Sequence, residues 1–230
     1  MILRDPVSSS THWMASFCAI FVTLILWRLT RGDLTRRVTS VIFGLSAVCL
    51  YAASGLFHAL NLPPEQLRVY QKLDQSCIYL LIAGSYTPII AILLNGRFRT
   101  GLLLFIWIFA LVGIACQWLF PKPPYTTTVG LYLGMGWIGF LGVFGYFRAV
   151  GWTGMKWAIA SGAWYTFGAV CELYHWPVIW PGVIQWHEVL HVADMIGTFC
   201  HVIFIIRYVL PYRPVDNIDR KEPMLHVQAA

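Results

Sequence analysis

Seven apolar runs divide the chain, near residues 12 to 27, 38 to 60, 74 to 94, 101 to 120, 126 to 147, 156 to 176 and 187 to 210. Each is close to the roughly twenty residues needed to cross a hydrocarbon core, so the pattern predicts seven transmembrane helices. The breaks between them are polar or proline-bearing: a basic loop at 28 to 37, Pro63-Pro64, Asn95-Gly96, Pro121 to Pro124, and Gly151 to Gly154. A polar tail, 211 to 230, follows the last run, and residues 1–230 read as one membrane domain. The Pro177 to Trp186 loop carries Trp180 between Trp176 and Trp186 and reads as an aromatic belt at a membrane interface. In the fifth run Gly130 and Gly134 are spaced for close helix approach, read here as internal packing. Pro88 predicts a kink in the third, with Thr87 near enough to satisfy the freed carbonyl.

The last run departs from this apolar pattern. His187 and His191 are four apart and share a helix face, which Asp194, Thr198 and His201 continue. A polar stripe through a spanning helix must face protein rather than lipid. Following the chain back and forth brings the end of the second run, the starts of the third and seventh, and the end of the sixth to one membrane face. There the second run ends in Ser54-x-x-x-His58, the third opens with Asp74, and the sixth brings Glu172 and His175 to a similar depth.

Three imidazoles with a carboxylate and a hydroxyl nearby suit zinc: His58, His187 and His191 as metal ligands, and a water in the fourth position. Asp74 would hold or deprotonate that water and Ser54 would hydrogen-bond to it or to an oxyanion. The blander reading makes these interfacial histidines paired with Glu188, Asp194 or lipid headgroups. His201 and Asp194, deeper on the stripe, read as supporting or interhelical hydrogen-bonding groups, and His12 as an interfacial residue. The fold class expected is therefore an all-α membrane protein, a seven-transmembrane helix bundle with an intramembrane metal site and Zn2+ as cofactor.

Composition sharpens this picture in three places. With 58% hydrophobic and 11% charged residues among 230, the chain lies outside soluble composition. The net charge of +6 sits in short loops and the tail, which membrane topology explains, so nucleic acid is not an expected partner. Six scattered cysteines with no Cys-x-x-Cys pair point to neither disulfides nor a thiolate site. No cleavable signal peptide is expected, because arginines rather than a small-residue cleavage site follow the first run.

Together these residues resemble the haemolysin III and progestin and adipoQ receptor (adiponectin receptor) family, related to the alkaline ceramidases. The resemblance is carried by Ser54-x-x-x-His58, by Asp74 followed by Ile82-Ala83-Gly84-Ser85-Tyr86-Thr87-Pro88, and by His187-x-x-x-His191 with His201. Size and the lack of soluble domains look most like the bacterial haemolysin III branch. The resemblance implies a seven-helix bundle whose zinc is bound by the three matching histidines beside the aspartate and serine. It also implies ceramide-like lipid amides as the substrate class. The family's acidic and asparagine positions before the first helix are replaced around Ser8 to His12, and Asp194 stands where family members usually have an apolar residue.

The readings that follow are a zinc-dependent lipid amidohydrolase and, as alternative, a non-catalytic receptor or membrane-homeostasis regulator with structural zinc. A pore-forming haemolysin has no charged channel lining to support it. His187-Glu188-x-x-His191 matches a metalloprotease pattern, but that chemistry needs a further ligand better supplied by His58. A retinal protein lacks the lysine its Schiff base would need in the seventh run. The expected partners are the bilayer and a membrane lipid or lipid-derived substrate, with oligomeric state left open. Twelve of the sixteen Lys and Arg residues fall on the side opposite the site. The positive-inside rule then gives N-terminus out and C-terminus in, in a bacterial inner membrane, whereas the adiponectin receptor resemblance implies the reverse.

Overall fold

The computed structural model describes residues 3–120 and 124–214, and every regular element among them is helical. Lys122 and the tail beyond Pro214, with Arg220 and Lys221, lie outside the described residues. The elements are α1 (Pro6–Leu29), α2 (Leu34–Ala59), α3 (Pro64–Leu93), α4 (Gly96–Leu119), α5 (Tyr125–Ile138), α6 (Val143–Tyr174) and α7 (Trp186–Phe204). A 3-10 turn, Gly139–Gly142, joins α5 to α6, and a π turn, Ile205–Val209, extends α7.

Proline opens α1 and α3, where its missing N–H would have no helical partner anyway. Both helices therefore begin earlier than the apolar runs, which do not register polar first turns. Asp74 consequently lies well inside α3 instead of opening it.

Among the described residues six helical stretches are long and apolar enough to cross a membrane. One of them, Tyr125–Tyr174, has 50 residues. At 1.5 Å per residue that is roughly 75 Å, more than twice a hydrocarbon core. It contains both the fifth and sixth apolar runs, and the loop expected at Gly151 to Gly154 is reduced to one non-helical residue, Gly151, at φ 60° and ψ −171°. Only glycine adopts that backbone without strain.

The core lies between α2, α3 and α7, with Phe43, Tyr51, Tyr79, Ile90 and Phe204 almost wholly buried. Phe17, Leu24, Leu104, Ile108 and Phe199 point outward, as a lipid-facing surface requires. At the α2–α3 crossing a Cβ on Gly84 would stand 2.2 Å from the Ser46 hydroxyl, so the glycine permits the approach. The close packing expected at Gly130 and Gly134 is not found among the described residues, none of which comes within 4 Å of a Cβ built at either. The tight contact falls instead at Gly139, where Tyr86 closes over the 3-10 turn. Helix α3 continues through Pro88; the Thr87 hydroxyl donates to the Ala83 carbonyl and receives the Trp107 indole N–H. Trp176 and Trp180 are exposed in the loop before α7, which is closed by a bridge between Trp180 and Ile184.

Candidate metal centre

At the end of α2 and the start of α7 the structure brings His58, His187 and His191 together, with one potential ligand atom from each lying within 4.8 Å of the others. Helical spacing accounts for part of this: His187 and His191 occupy successive turns of one face. The rest is tertiary. The Nε2 atoms of His58 and His187 face each other at 3.1 Å.

Two carboxylates set the chemistry of that contact. Asp5 lies 2.9 Å from Nδ1 of His58, and Glu172 lies 3.0 Å from Nδ1 of His187. A carboxylate only accepts, so each ring donates at Nδ1 and, when neutral, keeps its lone pair at Nε2. Two lone pairs facing at that distance call for a proton or a cation between them. A tetrahedral zinc with Zn–N bonds of 2.0–2.1 Å separates its ligand atoms by about 3.3 Å, close to the spacing found. His191, 3% exposed, adds a third ring whose Nδ1 has no hydrogen-bond partner among the described residues. The donor set fits a metal ion.

Asp5 occupies the N-cap position of α1 but makes no side-chain cap, because its carboxylate is turned to His58 and Arg4. Burial pushes the Asp5 carboxyl up, yet the hydrogen bonds from His58 and Arg4 outweigh it and hold the group below its ordinary value. Asp74 stands beside the cluster, its carboxylate in contact with the Ser54 hydroxyl and within electrostatic reach of His187. Ser54 and His58 share a face of α2 and are both buried.

Other expected residues fall differently. His12 is buried, 3% exposed, and stacks on His191 with ring centroids 3.7 Å apart; the interfacial position expected for it is wrong. Its ring also meets the edge of Tyr51, and both of its nitrogens lack hydrogen-bond partners among the described residues. Apolar periodicity misled here, because α1 starts at Pro6 and places His12 in its second turn, against α7. His175 is exposed and packs on Trp186, away from the cluster, whereas Glu172 joins it. His201 hydrogen-bonds between helices, from Nε2 to the Ser85 carbonyl at 3.1 Å and at Nδ1 with Ser161. Glu188 accepts from the Gln185 backbone N–H at 2.9 Å and from the Ser8 hydroxyl at 2.8 Å, so both its oxygens are committed to structure. The contribution of Asp5 was not read from the sequence: Asp-Pro before a helix signals capping, and nothing local announces a partner on α2.

The family profile described as haemolysin-III related matches residues 1–202. Hemolysin-3 of Bacillus cereus is 29% identical over 212 residues, covering 91% of this chain and 94% of that protein. The Hemolysin-3 homolog of Bacillus subtilis is 27% identical over 208 residues, 90% of this chain and 96% of its own. Human monocyte to macrophage differentiation factor is 28% identical over 130 residues, 55% of this chain and 54% of that one. The profile spans both the N-terminal segment that carries Asp5 and the helix that carries His187 and His191, and on that match the chain belongs to the haemolysin-III-related family.

Proposed function

We propose that this multi-pass membrane protein crosses the bilayer seven times, the long Tyr125–Tyr174 stretch making two traverses hinged at Gly151, and hydrolyses an amide bond in a ceramide-like lipid. The observation that carries the reading is the convergence of three imidazoles beside a paired Asp74 and Ser54. His58, His187 and His191 would hold one zinc ion, which would supply a Lewis acid that polarises a carbonyl and activates water near neutral pH. Asp74 takes the proton from the attacking water at a carboxylate oxygen and passes it to the leaving nitrogen, so the C–N bond breaks to acid and amine. Ser54 donates its single proton to that carboxylate and orients it, then turns it to the oxygen that becomes negative once Asp74 is protonated. An apolar cavity of about 190 Å³ between α3, α5, α6 and α7 gives a lipid chain somewhere to lie. The protease alternative loses its base, because Glu188 is engaged as a helix cap and by Ser8.

Purified protein is expected to carry about one zinc per chain, and replacing the three histidines by alanine should remove it. Asp74→Ala should retain the metal while lowering lipid amide hydrolysis by roughly 10²–10⁴-fold, the usual weight of a general base. Zinc unchanged in the triple variant would refute the ligand set. Zinc bound with no turnover of any lipid amide would leave the metal a structural role in a receptor or regulator.

A further inference from the structure

At the end of the bundle opposite the histidines, chain tracing gathers most of the arginines and, among the described residues, a single acid, Asp33. That acid is taken. Its carboxylate accepts the Arg36 backbone N–H at 2.9 Å and pairs with the Arg36 guanidinium, which also donates to the Tyr212 carbonyl. Arg36 therefore ties the start of α2 to the chain beyond α7. Arg28, Arg31, Arg97, Arg99 and Arg207 are exposed, where water can satisfy them.

Arg37 is the exception. It is half-buried, its Nε is shut off from solvent, and among the described residues its guanidinium has neither a hydrogen bond nor an ion pair. What holds it is Trp27 in the last turn of α1: the guanidinium carbon lies 4.8 Å from the ring centre. A guanidinium seated on an aromatic face is fixed in place while its N–H edge stays free to donate. Partly enclosed at a membrane boundary, such a charge is costly unless an acceptor meets it. The surface around it is apolar. Leu34, Val38 and Leu45 are 76%, 48% and 53% exposed, and with Val41 they fall at i, i+4, i+7 and i+11, a lipid-facing stripe along α2 that starts beside Arg37.

We propose that Arg37, seated on Trp27, binds the phosphate of an anionic phospholipid whose acyl chain lies along the α2 stripe. The planar fork of a guanidinium matches two phosphate oxygens at once, and the phosphate supplies the acceptors that the described residues do not. A free phosphate ion would make no use of the stripe. A zwitterionic lipid would bring its ammonium group toward Arg28 and Arg31, with the one acid of this end already paired. An anionic headgroup meets no such repulsion and is drawn in by the same arginines. The site stands apart from the histidines and needs neither a metal ion nor hydrolysis.

The full chain is placed in nanodiscs of equal parts phosphatidylglycerol and phosphatidylcholine with identical acyl chains, and the lipids it retains on release are read by native mass spectrometry. The wild type is expected to retain the anionic lipid over the zwitterionic one at least about fivefold. Arg37→Gln should abolish the preference. Trp27→Leu, which removes no charge, should lower it by unseating the guanidinium, and serves as the test if Arg37→Gln does not fold. Arg99→Gln removes an exposed charge from the same end and should keep the preference. Equal retention of the two lipids by the wild type overturns the proposal whether or not the variants fold. A loss in Arg99→Gln as large as in Arg37→Gln does so too, since it would mean diffuse attraction to the whole arginine-rich end. Displacement of the retained lipid by an excess of inorganic phosphate would assign Arg37 to a free anion and overturn the lipid.

Discussion

Nδ1 of His58 donates to the carboxylate of Asp5 across 2.9 Å, tying a residue ahead of the first helix to one at the end of the second. The Asp5 backbone N–H also donates to the His58 carbonyl at 3.0 Å, so the pair is held at two points. Glu172 holds His187 in the same way from α6. Each carboxylate fixes a tautomer and aims Nε2 at the shared centre.

Removing either carboxylate should therefore weaken the metal without removing a ligand. Asp5→Ala and Glu172→Gln are each expected to lower zinc affinity about 10–100-fold, the usual effect of losing a hydrogen bond to a ligating histidine. Competition with a chelator of known affinity measures this on purified protein. Unchanged affinity in both variants would mean that the carboxylates only secure α1 and α6.

Glu188 offers the opposite case, a carboxylate beside the ligands that does not serve them. Its oxygens satisfy the first turn of α7 and the Ser8 hydroxyl, so Glu188→Gln, which keeps one acceptor for the Gln185 N–H and can donate its amide to the Ser8 oxygen, should leave zinc content and hydrolysis per folded molecule close to wild type. Glu188→Ala should cost about 1 kcal/mol of stability through loss of the cap, seen as a lowered melting midpoint. A fall in turnover by Glu188→Gln as large as that of Asp74→Ala would restore the protease reading.

At the other end of the bundle Asp33 caps α2, accepting the Arg36 backbone N–H at 2.9 Å and pairing with its guanidinium. That backbone hydrogen bond comes first among the causes that hold the Asp33 carboxyl below its ordinary value; slight burial pushes the other way and the Arg36 side chain adds to the lowering. A group depressed on folding stabilises fully above its unfolded pKa, about 4, and loses that contribution as pH falls through the folded value. Asp33→Ala should cost about 1 kcal/mol at neutral pH, with the difference from wild type shrinking in acid. Melting at the two pH values checks it, and a pH-independent difference would remove the ionised cap as the cause.

The same Arg36 guanidinium donates to the Tyr212 carbonyl, bringing the basic loop after α1 and the C-terminal end of the bundle to one side. Arg28, Arg31, Arg36, Arg37, Arg97, Arg99, Arg207 and Arg213 belong to that side by chain tracing, against Arg4, Arg68 and Lys72 near the histidines. The positive-inside rule predicts that the arginine-rich side lies in the cytoplasm. A reporter active only in the cytoplasm, fused after Ala230, should be active. A stable but silent fusion would reverse the orientation and move the histidines to the cytoplasmic leaflet.

The sequence by itself determined what depends on local spacing. Apolar run length marked the helical membrane architecture, and four-residue steps put Ser54 with His58 and His187 with His191 on common faces. Those faces could be read because helical geometry is the same wherever the helix lies. Chain tracing also brought His58 to the face of His187 and His191, but the tertiary structure alone decided which further groups meet across helices. Asp5 reaches His58 over a separation of 53 residues, His12 stacks on His191 instead of lying at the interface, and Glu172 serves His187 while its neighbour His175 does not. Helix starts at Pro6 and Pro64 moved His12 into the bundle and Asp74 away from the helix end, because a polar first turn is stable at an interface and leaves no mark in an apolar window. Whether a buried carboxylate such as Glu172 is satisfied depends on where donors from other helices point, and no spacing within one helix records that.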